Sequence, residues 1–458
     1  MTKLLSIGTL LIAGASVAVG SLEFMVDHRN FADNLVAELY QSENECTSTL
    51  GISMAFSLIY PAGDELNQNQ MQSVLGYPVS ETTQQLVWDS TQQRLDSKYE
   101  GRCLQPSSEE GVKCEEEEAS LEIANRIWMA DSLIVQDEYR TLLGQNLFQM
   151  DFESGDAGSV INAWVNASTN GLVDSVVDNG PLPNVVLIAV NAIYLKASWQ
   201  TQFKKDFTNV DSFYDSPSRL NSLPSKVNFM HNVGEFLYSD TAVSGYQVLA
   251  LPFVGTISMI IALPSSEKPS LIKFQEIHES LDDLETARVA LAIPKFKFES
   301  IYKENLLEAL QHIGLTAPFD GGLCFGGEGG CNDRVSDIIH KTVIDVNEEG
   351  VEAAAVTALV LDRGMPLDNI PVLFLANHPF QFFIYESQED VVLFEGYVSD
   401  PGSTYTAETS ALNAQHGDAD FWKESFNVDP REHNTSSSSC WTWALSSVVT
   451  LVALAMTV

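Results

Sequence analysis

Positive charge is scarce in this chain: 24 lysines and arginines stand against 62 aspartates and glutamates, for a formal net charge of -38. That balance argues against binding nucleic acid or heparin-like polyanions through bulk electrostatics, leaving only a local basic patch as a route. Lys204-Lys205 is the only pair of adjacent basic residues. Catalytic signatures are missing too. There is no GxSxG, no HExxH and no Walker loop, so neither a hydrolase elbow, a zinc protease helix nor a phosphate cradle is present. The glycine-rich GGLCFGGEGGC lacks the GK[ST] ending and reads as a flexible insertion. Cysteines are few, six in all. Cys103 and Cys114 bracket one polar loop, and Cys324 and Cys331 bracket the glycine-rich one. Both pairs suit local disulfides in an oxidising compartment. Neither has a second cysteine pair or histidine at zinc spacing, so no metal and no cofactor are expected. Cys46 is left unpaired, and Cys440 lies in a tail subject to processing.

What is present fits an exported globular protein. Hydrophobic residues make up 45% of the 458 residues, enough for a sizeable core. Lys3 precedes the uncharged run Leu4–Val19, and Ala18-Val19-Gly20 offers a small-residue cleavage site. Residues 1–20 thus read as a signal peptide. At the other end, residues 402–435 form an acidic polar linker. Residues 436–458 combine small residues with an uncharged apolar stretch from Trp441 to Val458 and no basic flank. That pattern favours a cleaved GPI-anchor signal over a transmembrane helix. Sequons at Asn166 and Asn434 are glycosylation candidates. The acidic run Glu115–Glu118 reads as solvated surface.

Periodicity points to a mixed fold. Leu306, Leu307, Leu310 and Ile313 recur at helical spacing, with Gly314 as a stop. Ile257–Pro264, Val289–Ile293, Val372–Leu375 and Val391–Phe394 are short apolar runs suited to buried strands. Helical patterns concentrate in the first half and strands in the second, without βαβ alternation. The fold class is therefore α+β in one large domain, residues 21–401. No internal repeat appears.

One segment is built to be both loop and strand. In NEEGVEAAAVTALVL, from Asn347 to Leu361, Gly350 lets the backbone bend and no proline bars sheet pairing. At a period of two, Val351, Ala353, Ala355, Thr357, Leu359 and Leu361 share one face. Arg363, Gly364 and Pro366 follow at once, as in an exposed turn.

The run HKTVIDVNEEGVEAAAVT, from His340 to Thr357, resembles the hinge of the serpin superfamily of suicide protease inhibitors. INAWVNASTNGLV (Ile161–Val173) resembles that family's helix across the main sheet, and NAIYLKASW (Asn191–Trp199) its NAxYFKGxW strand. NHPFQFFI (Asn377–Ile384) and LFEGYVSDP (Leu393–Pro401) are similar to its C-terminal signature, and NLLEALQHIGL (Asn305–Leu315) to the helix before the hinge. The resemblance covers roughly 380 residues, with the blocks in the family's order.

The resemblance implies three sheets with a helical cap and an exposed reactive-centre loop, about residues 347–371. It implies no enzyme activity but inhibition of a serine protease through loop insertion and a trapped acyl-enzyme. The hinge would be Glu349, Gly350, Val351, Glu352, Ala353, Ala354, Ala355, Val356 and Thr357. Ser48, Asn191, Trp199 and His340 would lie where the sheet opens. Family spacing from Gly350 puts the scissile bond after Gly364, but Arg363 carries the only side chain fitted to a trypsin-like pocket. Arg363-Gly364 is the expected bond, with Leu361 and Met365 as alternatives. The partner is thus a trypsin-like protease, met by a monomer that touches membrane only through its anchor. The same resemblance also admits a non-inhibitory serpin acting as carrier, chaperone or storage protein. The family's SPxS segment appears here as Ser48-Thr49-Leu50-Gly51, without its proline or second serine.

Overall fold

The structure is a computed structural model. It describes residues 28–40, 43–77, 119–169, 171, 173–217, 224–265, 271–326, 331–351 and 371–402. Every described residue belongs to one compact unit within Met1–Asn413. The signal peptide, the anchor signal, Asn434 and Cys440 lie outside the described residues.

A six-stranded sheet runs in the order Phe296–Tyr302, Asp337–Val346, Gly350–Val351, Leu187–Ser198, Ala119–Ala130, Leu147–Met150. Strands Leu187–Ser198 and Ala119–Ala130 are long because alternating apolar residues, among them Leu121, Ile123, Ile127 and Met129, reach the main core. On the opposite face Trp128, Ile188, Val190, Ala192 and Ile339 meet Ile161 and Val165 of helix Ala157–Ser168. That helix therefore lies across the sheet. It ends at Ser168, short of the Ile161–Val173 block. Thr169 Oγ1 donates to Val165 O at 2.9 Å and accepts from Val173 N at 3.1 Å. Gly171, at φ 83°, then turns the chain back. At the helix start, Gly158 N reaches Gly180 O at 2.8 Å, and a Cβ there would meet Asp178 O at 1.9 Å.

A nine-stranded sheet forms the second layer, in the order Glu45–Thr47, Val391–Val398, Phe380–Glu386, Ile257–Pro264, Tyr246–Pro252, Ser225–Ser239, Glu285–Pro294, Val372–Leu375. Strand Asn209–Phe213 pairs with Ser225–Ser239 beside this path. The resemblance implies three sheets; the described strands form two, the nine-stranded one held together by the long strand Ser225–Ser239, which pairs with both Tyr246–Pro252 and Glu285–Pro294. Phe380–Glu386 is buried at every position. Phe382 and Ile384 fill the main core while Phe383 and Tyr385 fill a second one against helix Phe274–Ser280. Burial on both faces is why Phe382–Tyr385 runs apolar without alternation, while the buried Gln381 is satisfied by the backbone of Ile272 at 2.6 and 3.1 Å.

Between the sheets runs helix Thr49–Ile59, touching Val391–Val398 on one side and Ala119–Ala130 and Leu187–Ser198 on the other. Helix Glu304–His312 buries Leu306 and Leu310, and Gly314 stops it at φ 105°. The architecture is α+β. No helix among the described residues is long and apolar enough to cross a membrane.

Candidate functional site: a sheet slot, its lock and its latch

Strands Asp337–Val346 and Leu187–Ser198 are parallel neighbours over five residue pairs only, from Asp337 opposite Ile188 to Lys341 opposite Ala192. Above that point they part. At the far end Gly350–Val351 lies between them, Val351 opposite both Val346 and Ala197, antiparallel to each. The sheet thus has a slot between these strands, with one antiparallel rung, Gly350–Val351, at its far end. This rung lies inside the segment that the sequence reading treats as loop. Gly350 is required at this rung: its φ is 149°, and a Cβ would sit 2.0 Å from Ala197 O.

Where the two strands still touch, buried polar side chains hold them. Ser48 N donates to His340 Nε2 at 2.9 Å. The imidazole is therefore neutral with its proton on Nδ1, which donates to Asn191 Oδ1 at 2.7 Å. Asn191 Nδ2 donates in turn to Asn125 Oδ1 at 2.8 Å. His340 is fully enclosed and stacks on Tyr302 with ring centres 5.9 Å apart. Burial pulls its pKa from 6.5 to about 3. The sequence departure at Gly51 has a steric counterpart here, since a Cβ at 51 would lie 2.4 Å from Asn191 Oδ1. Ser48 also caps helix Thr49–Ile59, its side chain accepting from Gly51 N at 3.1 Å. The neighbouring Cys46 is a buried free thiol, pushed up to about 12 by burial.

At the mouth of the slot a latch fixes the turn before Gly350. Trp199 Nε1 donates to Asn347 O at 2.9 Å, Trp199 N to Glu349 O at 3.0 Å and Phe203 N to Glu348 O at 2.9 Å. Trp199 is itself held by a stacked Phe253 at 4.3 Å. Glu348 is buried; Lys295 Nζ contacts one carboxylate oxygen at 2.7 Å and Thr208 Oγ1 donates to the other at 2.7 Å. Burial pushes the Glu348 pKa up, but the bonds from Lys295 and Thr208 outweigh it and leave it below the ordinary range. Glu349 pairs with the exposed Lys205 at 2.6 Å, which raises the lysine. Sequence reasoning did not single out Glu348, Lys295 or Thr208. Glu348 has no unusual neighbours in sequence, and its partners lie 53 and 140 residues away.

Ser48, Asn191 and His340 thus gather at the lock, and Trp199, Glu349 and Gly350 at the latch. Glu352, Ala353, Ala354, Ala355, Val356 and Thr357, together with Leu361, Arg363, Gly364 and Met365, lie outside the described residues. So do Cys103 and Cys114. Cys324 and Cys331 are joined in a disulfide. Asn166 sits on helix Ala157–Ser168 with its Nδ2 turned to Asp174 Oδ1 at 3.3 Å. No group of three metal-ligating side chains is found among the described residues.

Residues 27–401 match the family described as Serpin (serine protease inhibitor). Intracellular coagulation inhibitor 2 of Tachypleus tridentatus is 29% identical over 373 residues, 79% of this chain and 86% of that protein. Leukocyte elastase inhibitor of Equus caballus is 34% identical over 308 residues, 61% of this chain and 78% of that protein. Among solved structures, Serpin48 of the insect Tenebrio molitor aligns at a TM-score of 0.67 with 24% identity, over 83% of this chain and 99% of its own.

Proposed function

The chain belongs to the serpin family, and from that premise we propose that it inhibits a trypsin-like serine protease by inserting its own cleaved loop into the slot. The observation that carries the reading is the antiparallel rung Gly350–Val351 between two parallel strands that separate above Lys341 and Ala192. In the proposed sequence the protease serine attacks the Arg363 carbonyl and Gly364 leaves as the new amine, so Arg363 is held as an acyl ester. The freed segment then zips downward from Val351, and the attached protease is carried to the far end and distorted before water can release it.

The inward face supports insertion, because Val351, Ala353, Ala355, Thr357, Leu359 and Leu361 carry no charge. A buried unpaired charge would oppose it strongly. Leu361-Asp362 is the second candidate bond, for a chymotrypsin-like enzyme, and cutting after Met365 is hindered by Pro366. The leader 1–20 and tail 436–458 support export and tethering by a lipid anchor, with Asn166 and Asn434 as glycan acceptors. A glycan on Asn166 would displace the Nδ2 contact to Asp174.

Trypsin is the first protease to try, with denaturing electrophoresis and mass analysis as the readout. A stable covalent complex with a released peptide beginning at Gly364 is expected. Clean cleavage that leaves trypsin fully active removes the trypsin-like target. A heat scan of the cleaved protein then separates the remaining readings. A sharp rise in Tm keeps loop insertion, and an unchanged Tm leaves a carrier, chaperone or storage serpin.

A further inference from the structure

Strand Ala119–Ala130 sends Arg126 and Trp128 to the face covered by helix Ala157–Ser168, opposite Val190 and Ile188. The Arg126 guanidinium carbon lies 4.7 Å from the centre of Trp164 and 5.4 Å from that of Trp128. The two indoles meet edge to face at 5.9 Å, and Phe148 closes on Trp128 at 4.9 Å. This is a cation held against aromatic faces.

What stacking does not satisfy is the N–H groups. Trp128 is 1% exposed, and its Nε1 finds no hydrogen-bond partner among the described residues. The same holds for the enclosed Nε of Arg126. Nor is Arg126 paired with a carboxylate among the described residues, although acids outnumber bases 62 to 24 in the chain. Burial lowers its pKa and no opposing charge restores it. Two enclosed N–H donors and an unneutralised cation on one strand face are costly to leave unpaired.

We propose that Arg126 and Trp128, framed by Trp164 and Phe148, form a binding site for an organic carboxylate that carries an apolar group. The carboxylate would accept from Arg126 and from the Trp128 indole. The guanidinium offers a charge-assisted N–H edge matched to a planar carboxylate. Flat ring walls favour that planar group over tetrahedral phosphate, and a chain of net charge -38 repels a multiply charged anion more than a singly charged one. The apolar group has a surface to cover. Phe148 is 42% exposed and Val160, one helical turn before Trp164, is 37% exposed. The carboxylate belongs either to a small free acid or to an acidic side chain of a peptide.

The test is a titration of the full ¹⁵N-labelled chain, watching the indole N–H signal of Trp128. W128F identifies that signal among those of the seven tryptophans. The probes are 4-phenylbutyrate, its amide, inorganic phosphate and the capped tripeptide Phe-Glu-Phe. The carboxylates are expected to shift the Trp128 signal saturably, and R126Q to weaken them roughly tenfold or more, as expected on losing a charge-assisted bond. Tighter binding of the tripeptide identifies a peptide side chain as the source, and tighter binding of phenylbutyrate a free acid. Absence of a shift at millimolar carboxylate, or equal shifts with the amide or phosphate, overturns the site. If R126Q fails to fold, R126K keeps the charge without the Nε–H edge. Undiminished binding to R126K overturns the assignment equally.

Discussion

Acidification should release the lock between the two central strands, and the amount can be worked from His340. Its Nε2 accepts from Ser48 N at 2.9 Å, so a second proton would set two donors against each other inside the core. The folded pKa is about 3 against 6.5 for a free histidine. Above pH 6.5 neither state binds the extra proton, and the full stability is present. Between 6.5 and about 3 the unfolded chain takes it up and the folded one does not, so stability falls as pH falls. At about 1.4 kcal/mol per pH unit, the total penalty approaches about 5 kcal/mol, with about 2.5 kcal/mol of it incurred between pH 7 and 4.5. His28, also buried and lowered to about 3 by burial and by Arg29, adds a similar slope. Asp33 and Glu395, raised by burial, act in the opposite sense. A single titration would mix these groups, so the assay compares urea unfolding of wild type and His340→Gln at pH 7 and 4.5. The variant should lose about 2.5 kcal/mol less on acidification, the other groups cancelling in the difference. A difference below about 0.5 kcal/mol, the usual margin of additivity, would refute the neutral, buried lock.

Removing the latch should loosen the entry to the slot. Glu348→Ala leaves Lys295 without its 2.7 Å partner. A loss of about 1–3 kcal/mol in urea unfolding is expected from the lost bonds, together with faster proteolysis of the loop after Val351. Val351→Arg should turn an inhibitor into a substrate, because insertion would bury a lone cation. The measure is the fraction of cleaved molecules recovered as covalent complex with trypsin, and an unchanged fraction counts against insertion.

The parts of the fold written locally were legible from sequence. Strands Ile257–Pro264 and Val372–Leu375 match their apolar runs end for end, and helix Glu304–His312 follows the spacing of Leu306 and Leu310. The lock was legible only through a family likeness, because Asn191 and Ser48 bond to His340 across 149 and 292 residues of sequence. Composition gives no reason for them to meet. The latch was half legible: Trp199 and Gly350 stand out, but Lys295 and Thr208 are ordinary surface-type residues until the fold encloses Glu348. Arg126 and its aromatic frame were invisible, since NRIWM reads as a plain strand until helix Ala157–Ser168 brings Trp164 over it.

The single rung at Val351 fixes the register of everything that would follow it into the slot. Val351 stands opposite Val346 on one strand and Ala197 on the other, both antiparallel. Continuing inward by twos, Ala353 would face Ile344 and Leu195, Ala355 would face Thr342 and Ile193, and Thr357 would arrive opposite His340 and Asn191. These last two are already opposite each other in the sheet, so an entering strand must separate the very pair that locks it. Small residues at 353 and 355 suit the buried neighbours above the lock, which are apolar except for Thr342, whose hydroxyl is already bonded to Cys46 O at 2.6 Å. A hydroxyl at 357 supplies a donor and an acceptor where the Nδ1–H of His340 and the carboxamide of Asn191 lose each other. The hairpin bond from Asn347 N to Gly350 O, at 3.0 Å, keeps the start of the strand from slipping. Thr357→Arg should therefore stop insertion at the lock and yield cleaved, non-inhibiting protein. Ala354→Arg, whose side chain points to the opposite face, should leave complex formation with trypsin much less affected. Equal loss of covalent complex in the two variants would mean that the register does not continue from Val351.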